Sequence, residues 1–236
     1  MIKSIRISVA SALMVMSSGS IAIESSLSVK DLPKLTQESQ HVASAKRVSS
    51  QFLRAHYKQI DLDDELSLKI FDRFIRSLDF NRNVFSAEDI QGFSAYKTKF
   101  DDAIERGNLS IAYEIYQLNM QRRTERYEYA LSLLDKEFNF EQVNDKFTYD
   151  REEAAWAKNG KELNELWRQR VKYDALNLKL AGKDWLKTQE LLAKRYNRAI
   201  KRLTQTSSED VFQTVMNSFA RSVEAHTSYL SPRNAE

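Results

Sequence analysis

The sequence predicts an all-α fold: an irregular multi-helix bundle followed by a short extended C-terminal tail. Three observations carry this. Glycine and proline are scarce, with 5 and 2 in 236 residues, too few for a turn-rich β architecture. Apolar residues recur at helical three- and four-residue spacing along most of the chain. Hydroxyl and acidic residues stand just ahead of several of these stripes, where helix starts need acceptors for free N–H groups.

The first stripe is Val42, Ala45, Val48, Phe52 and Leu53, predicting a helix from about Gln40 to Gln59. Leu66, Ile70, Phe71, Phe74 and Leu78 repeat the pattern after Asp61, Asp63, Asp64 and Glu65, acids suited to the positive end of a helix. Asp79 to Phe85, with Asn81 and Asn83, reads as a loop. Ser86-Ala87-Glu88-Asp89 resembles a capping box opening one further helix, with Ile90, Phe93, Tyr96, Phe100 and Ile104 on its buried side. Gly107-Asn108 stops it.

A long helix is expected over Ser110 to Lys136, with Ile111, Ile115, Leu118, Tyr127, Leu131 and Leu134 as core positions. Residues 138 to 158 lack periodicity and read as a long connection. Helices at Lys161–Leu180 and Lys183–Leu203 are separated by Ala181-Gly182, with Trp167 and Trp185 expected where they meet. Thr206-Ser207-Ser208 before Glu209 and Asp210 opens the last helix, whose stripe is Val211, Phe212, Val215, Phe219 and Val223. The sum is seven or so helices and no solenoid period.

The start of the chain reads as an export signal rather than as fold. Lys3 and Arg6 precede a short apolar run, Ile7 to Met16, and small residues follow, placing a cut after Ala22. The run is about half the ~20 residues that span a bilayer. Residues 1–22 are thus read as a signal peptide, 23–39 as a linker, 40–225 as the helical domain and 226–236 as a junction. The expected location is the periplasm, with no stable membrane insertion. The formal net charge is +3; removing Lys3 and Arg6 with no acid lowers it by two. That near-neutral balance gives no argument for a nucleic-acid partner.

Chemistry has few places to start. Cysteine is absent, so neither disulfides nor thiolate chemistry enters. His41 and His56 stand fifteen residues apart on one expected helix, not at the spacing of two ligands on one metal, and His226 is in the tail. These read as ordinary polar or partly buried histidines; no metal, cofactor or catalytic residue is assigned. No Gly-rich turn presents a nucleophile beside free N–H groups. Lys194, Arg195, Arg198, Lys201 and Arg202 form one helical stripe, either a solvated face or a grip for an anionic partner. Arg122, Arg123 and Arg126 alternate with Glu125 and Glu128, which favours local ion pairs.

A run of short motifs then matches a known family. It includes Arg47-Val48-Ser49-Ser50, His56-Tyr57, Asp61-Leu62-Asp63, Lys69-Ile70-Phe71-Asp72-Arg73 and Leu78-Asp79-Phe80. Glu125-Arg126-Tyr127, Leu166-Trp167, Arg195-Tyr196 and Ser208-Glu209-Asp210-Val211-Phe212 follow in order. The most specific is the junction, His226-Thr227-Ser228-Tyr229-Leu230-Ser231-Pro232-Arg233-Asn234. Together they resemble the N-terminal helical region of bacterial tail-specific proteases, periplasmic carboxy-terminal-processing serine peptidases. One departure stands out: Glu224-Ala225 replaces the family's usual Asp-Pro, removing proline's constraint at the junction.

The resemblance implies an N-terminal domain that precedes a PDZ domain and a serine–lysine protease domain, neither of which falls within the sequence. It therefore implies a non-catalytic piece acting as a scaffold for the catalytic core and a docking surface. The implied partners are substrate proteins with apolar C-termini and, in some bacteria, a helical-repeat lipoprotein adaptor. The alternative is a free-standing periplasmic binding or chaperone-like protein derived from that domain.

Overall fold

The computed structural model describes residues 25–55, 61–141 and 145–230. The signal-peptide reading, His56 and the Ser231-Pro232-Arg233-Asn234 end of the junction lie outside these residues. The described chain forms eight α-helices and no strand, the all-α class that the composition and spacing predict. They are α1 (Ser39–Ala55), α2 (Asp64–Leu78), α3 (Ala87–Gly92), α4 (Phe100–Arg106), α5 (Ser110–Ser132), α6 (Gly160–Leu180), α7 (Trp185–Leu203) and α8 (Ser208–Val223).

The local signals act as their chemistry dictates. Asp63 caps α2 by accepting the Leu66 N–H at 2.8 Å, and Asp184 caps α7 through the Lys187 N–H. Capping boxes form at Ser86 with Asp89 and at Ser207 with Asp210, each satisfying two otherwise free donors. Gly107 ends α4 at φ +68°, and a Cβ there would stand 2.7 Å from the Val42 carbonyl. Only glycine serves both the left-handed turn and the close approach of α1.

One expected helix is broken. The stripe from Ile90 to Ile104 spans α3, a 3₁₀ turn at Phe93–Tyr96 and α4; Phe93, Phe100 and Ile104 are buried while Ile90 and Tyr96 are only partly so. The break is stabilised from outside. The Ser67 hydroxyl, fully buried on α2, donates to the Lys97 carbonyl at 2.9 Å and accepts the Phe100 N–H at 2.7 Å. Backbone groups that a continuous helix would have paired are thereby satisfied. Two further expectations shift. Leu53 is exposed rather than lining the core, and the long helix closes in a 3₁₀ turn, Leu133–Asp135.

The helices enclose two apolar clusters. The larger gathers α2, α4, α8 and the N-terminal half of α5, with α1 on its flank, around Phe71, Phe74, Phe100, Phe212 and Phe219. The smaller joins the C-terminal half of α5 to α6 and α7 around Trp167, Val171, Leu192 and Ile200. At 23 residues α5 is about 35 Å long, enough to serve both. Trp167 and Trp185 both belong to the smaller cluster but stack on different partners. Trp167 meets Tyr127 of α5 edge-on at 5.6 Å, and Trp185 meets Phe138 at 6.1 Å.

The loop between α2 and α3 ties the clusters together. Buried Asp79 accepts the N–H groups of Asn83, Val84 and Phe85 at 2.8–2.9 Å. That curl aims the Asn83 carbonyl at Trp167, whose indole N–H donates to it at 2.6 Å. Residues 33–37 run along α5 as a strap. Gln117 accepts the Leu35 N–H and donates to the Pro33 carbonyl, and Gln37 bridges Gly107 and Leu109.

Candidate functional site

The junction motif leads to the most polar part of the larger cluster. After α8 the chain turns at residues 225–226 and runs back along the helix without regular secondary structure. The Tyr229 N–H donates to Asn217 Oδ1 at 2.8 Å, and Arg221 donates to the Ser228 hydroxyl. The Tyr229 ring meets Phe212 edge-on at 5.2 Å and 89°. Phe212 in turn stacks flat on His41 at 4.5 Å and 9°. His226 and Leu230 are exposed, and Thr227 is half-buried, its N–H donating to the Glu224 carbonyl.

His41 is 1% exposed and sits in a polar knot of three helices. Its Nε2 lies 2.8 Å from Glu209 Oε2 in the first turn of α8, and its Nδ1 lies 3.0 Å from the Tyr113 hydroxyl of α5. The Glu38 N–H also reaches Nδ1, so the ring proton is assigned to Nε2 and donated to Glu209. The Tyr113 hydroxyl has a second acceptor, the Ser208 carbonyl at 2.9 Å. Burial, then Glu38 and Glu209, push the Tyr113 phenol well above its ordinary ionisation range. Burial and Glu209 raise Tyr229 as well. Every heteroatom of the histidine ring is therefore engaged, and Phe212 covers a face.

This arrangement can fasten α1, α5 and α8 at one point; it is closed to substrate. A general base must reach the proton it removes, and a nucleophile is activated by a pKa lowered rather than raised. The residue spacing gave His41 as an ordinary polar histidine. In sequence Glu209 reads as part of the α8 start and Tyr113 as one more aromatic on α5, so neither signals the knot.

The cationic stripe lies elsewhere. Lys194, Arg195, Arg198, Lys201 and Arg202 are all exposed on α7, opposite buried Leu192, Tyr196 and Ile200. Arg195 is drawn to Asp174 of α6 at 3.3 Å, and the stripe and the junction belong to different clusters. The expected local pairing of Arg122 is present: it bridges Asp89 at 2.9 Å and Glu125 at 3.1 Å. Among the described residues, no group of three or more His, Cys, Asp or Glu could hold a metal ion, and no helix is long and apolar enough to cross a membrane.

Fold and junction together define a helical domain whose last helix and tail are locked to its first helix through a buried histidine. The family model for the tail-specific protease N-terminal domain matches residues 48–233. The tail-specific protease of Haemophilus influenzae is 46% identical over 218 residues, covering 91% of this chain and 31% of the relative. The chain belongs to the tail-specific protease N-terminal domain family. It spans about a third of the length of the curated relative it matches.

Proposed function

We propose that this chain acts as the non-catalytic N-terminal helical domain of a periplasmic tail-specific protease, reached by a cleavable signal peptide. In this reading it scaffolds a catalytic core and offers docking surface to an adaptor or substrate protein. The observation that carries it is the closed knot at the junction. His41, Glu209 and Tyr113 are spent on holding α1, α5 and α8 together, and Tyr229 of the junction motif seats on the same stack. A chain continuing from that motif would leave from a fixed point on a rigid body, which suits a scaffold. The order of charged, apolar and small residues before Ala22 supports export.

The test is direct. The purified chain, incubated with an unfolded protein substrate such as carboxymethylated casein, is expected to release no peptides. Turnover abolished by replacing a single serine of this chain would overturn the reading. Docking is read by surface plasmon resonance against a helical-repeat lipoprotein adaptor and a protein with an apolar C-terminus. Saturable binding to either is expected; failure of both removes the docking role and leaves the scaffold.

A further inference from the structure

Between α6, α7 and residues 145–151 lies a cavity of about 290 Å³, near the lower size of small-molecule sites. Its charge is unbalanced. Arg151, Arg170 and Arg195 face it, with Asp174 as its one acidic lining residue. Arg195 is paired with Asp174, whereas among the described residues Arg151 and Arg170 join no ion pair. Arg170 instead lies over the Trp167 ring at 4.6 Å, which fixes the plane of its guanidinium and leaves its donors free.

A second observation points to a ligand. Tyr196 is only 3% exposed, yet its hydroxyl has no well-formed hydrogen bond, only a looser approach to the Asp174 carboxylate, and Arg151 Nε is unpaired. Buried polar atoms in native proteins are nearly always satisfied, so such a group facing a cavity calls for a partner. Burial, then the nearby Asp174 carboxylate, push the Tyr196 phenol up, keeping it a hydrogen-bond donor. Aromatic rings also line the cavity: Tyr127 stacks on Tyr196 at 6.1 Å, and Phe147 packs on Tyr173 at 5.2 Å.

We propose that this cavity is a binding site for a small organic anion, a carboxylate carried on a flat apolar group. The carboxylate takes donors from Arg170 and the Tyr196 hydroxyl, with Arg195 and Arg151 adding charge, and the apolar group lies between the aromatic walls. Arg–carboxylate hydrogen bonds supply direction as well as energy, and a volume of this size fits a single ring better than an extended chain. The site is independent of the role proposed above, since it lies in the smaller cluster, away from the junction.

The experiment titrates the ¹⁵N-labelled purified chain with sodium benzoate, neutral benzamide and inorganic phosphate, following the Trp167 indole N–H. Benzoate is expected to give saturable shifts with Kd on the order of 1 mM, and benzamide and phosphate to bind at least about ten-fold more weakly. Tyr196→Phe, which keeps the ring and the fold, and Arg170→Gln should each weaken benzoate about ten-fold. Arg198→Gln, on the outward face of α7, should not. Benzamide binding as well as benzoate, an unaffected Tyr196→Phe variant, or no saturable shift with benzoate would overturn the proposal. Phosphate binding as tightly as benzoate would overturn the apolar half of the assignment.

Discussion

The two clusters differ in how the chain builds them. The smaller is local: α6 and α7 form one hairpin across Ala181-Gly182 and lean on the end of α5 that precedes them. The larger is non-local, closed by α8 returning across α2 after the whole hairpin has intervened. It also buries more than twice as many apolar side chains among the described residues. The smaller cluster is in effect inserted between α5 and α8. It takes the placement of α5 and of the Asn83 carbonyl from the larger, while the larger takes from that side edge contacts, the Ala157 carbonyl on Ala87 and the Trp156 ring on Phe85. The junction motif, through Tyr229 and Phe212, belongs to the independent partner.

The largest effect is expected where the larger cluster and the junction coincide. Phe212 is fully buried between His41 and Tyr229, so Phe212→Ala should lower stability by about 4 kcal/mol. Urea unfolding followed by circular dichroism reads this, and protease cleavage near Tyr229 should accelerate in parallel. Cleavage unchanged in a strongly destabilised variant would separate the junction from the knot.

Next is the tie between the clusters. Asp79→Ala leaves three backbone N–H groups without their acceptor, offset in part because it removes the cost of burying a carboxylate, a cost that pushes the Asp79 pKa up. A net loss of about 3 kcal/mol is expected. Asp79→Asn should lose less, since its one oxygen, placed where Oδ2 stands, still accepts the Val84 and Phe85 N–H groups. Trp167 fluorescence, reporting its bond to Asn83, should change in both.

Gly107→Ala tests the fit of α1 on α4 within the larger cluster alone. Positive φ and the approach to the Val42 carbonyl together should remove about 2 kcal/mol, with Trp167 fluorescence unmoved.

The smallest effect lies in the connection over the smaller cluster. Arg168 and Lys172 hold the Asp145 carboxyl down at about 2, from an ordinary 3.8. Its contribution is therefore complete above pH 4 and lost as pH falls through 2. Asp145→Asn should flatten that segment of the acid-unfolding curve and leave stability at pH 7 only slightly lowered.

Helices were legible in the sequence because their signals are local. Ser207 with Asp210, Asp63 before Leu66, and Gly107 act within a few residues of themselves, and the structure uses each one. The broken helix was not legible, because its cause is Ser67, a hydroxyl on the buried face of another helix thirty residues earlier. The knot was hidden for the same reason. Nothing near His41 in sequence announces Tyr113 or Glu209, and a glutamate after Ser207-Ser208 is already explained by the helix start. Arg195 shows the limit most clearly. In sequence it is one of five cations on a stripe, and only the packing of α6 on α7 turns it toward Asp174 and the cavity.

The most direct test of the asymmetry is native-state hydrogen exchange on the purified chain and its Leu192→Ala variant. That substitution empties space in the smaller cluster only and should cost about 3 kcal/mol there. Slow amides of α6 and α7 should exchange faster, while those of α2 and α8 keep their protection. Equal acceleration in α2 and α8 would show that the clusters open as one unit and would contradict the asymmetry.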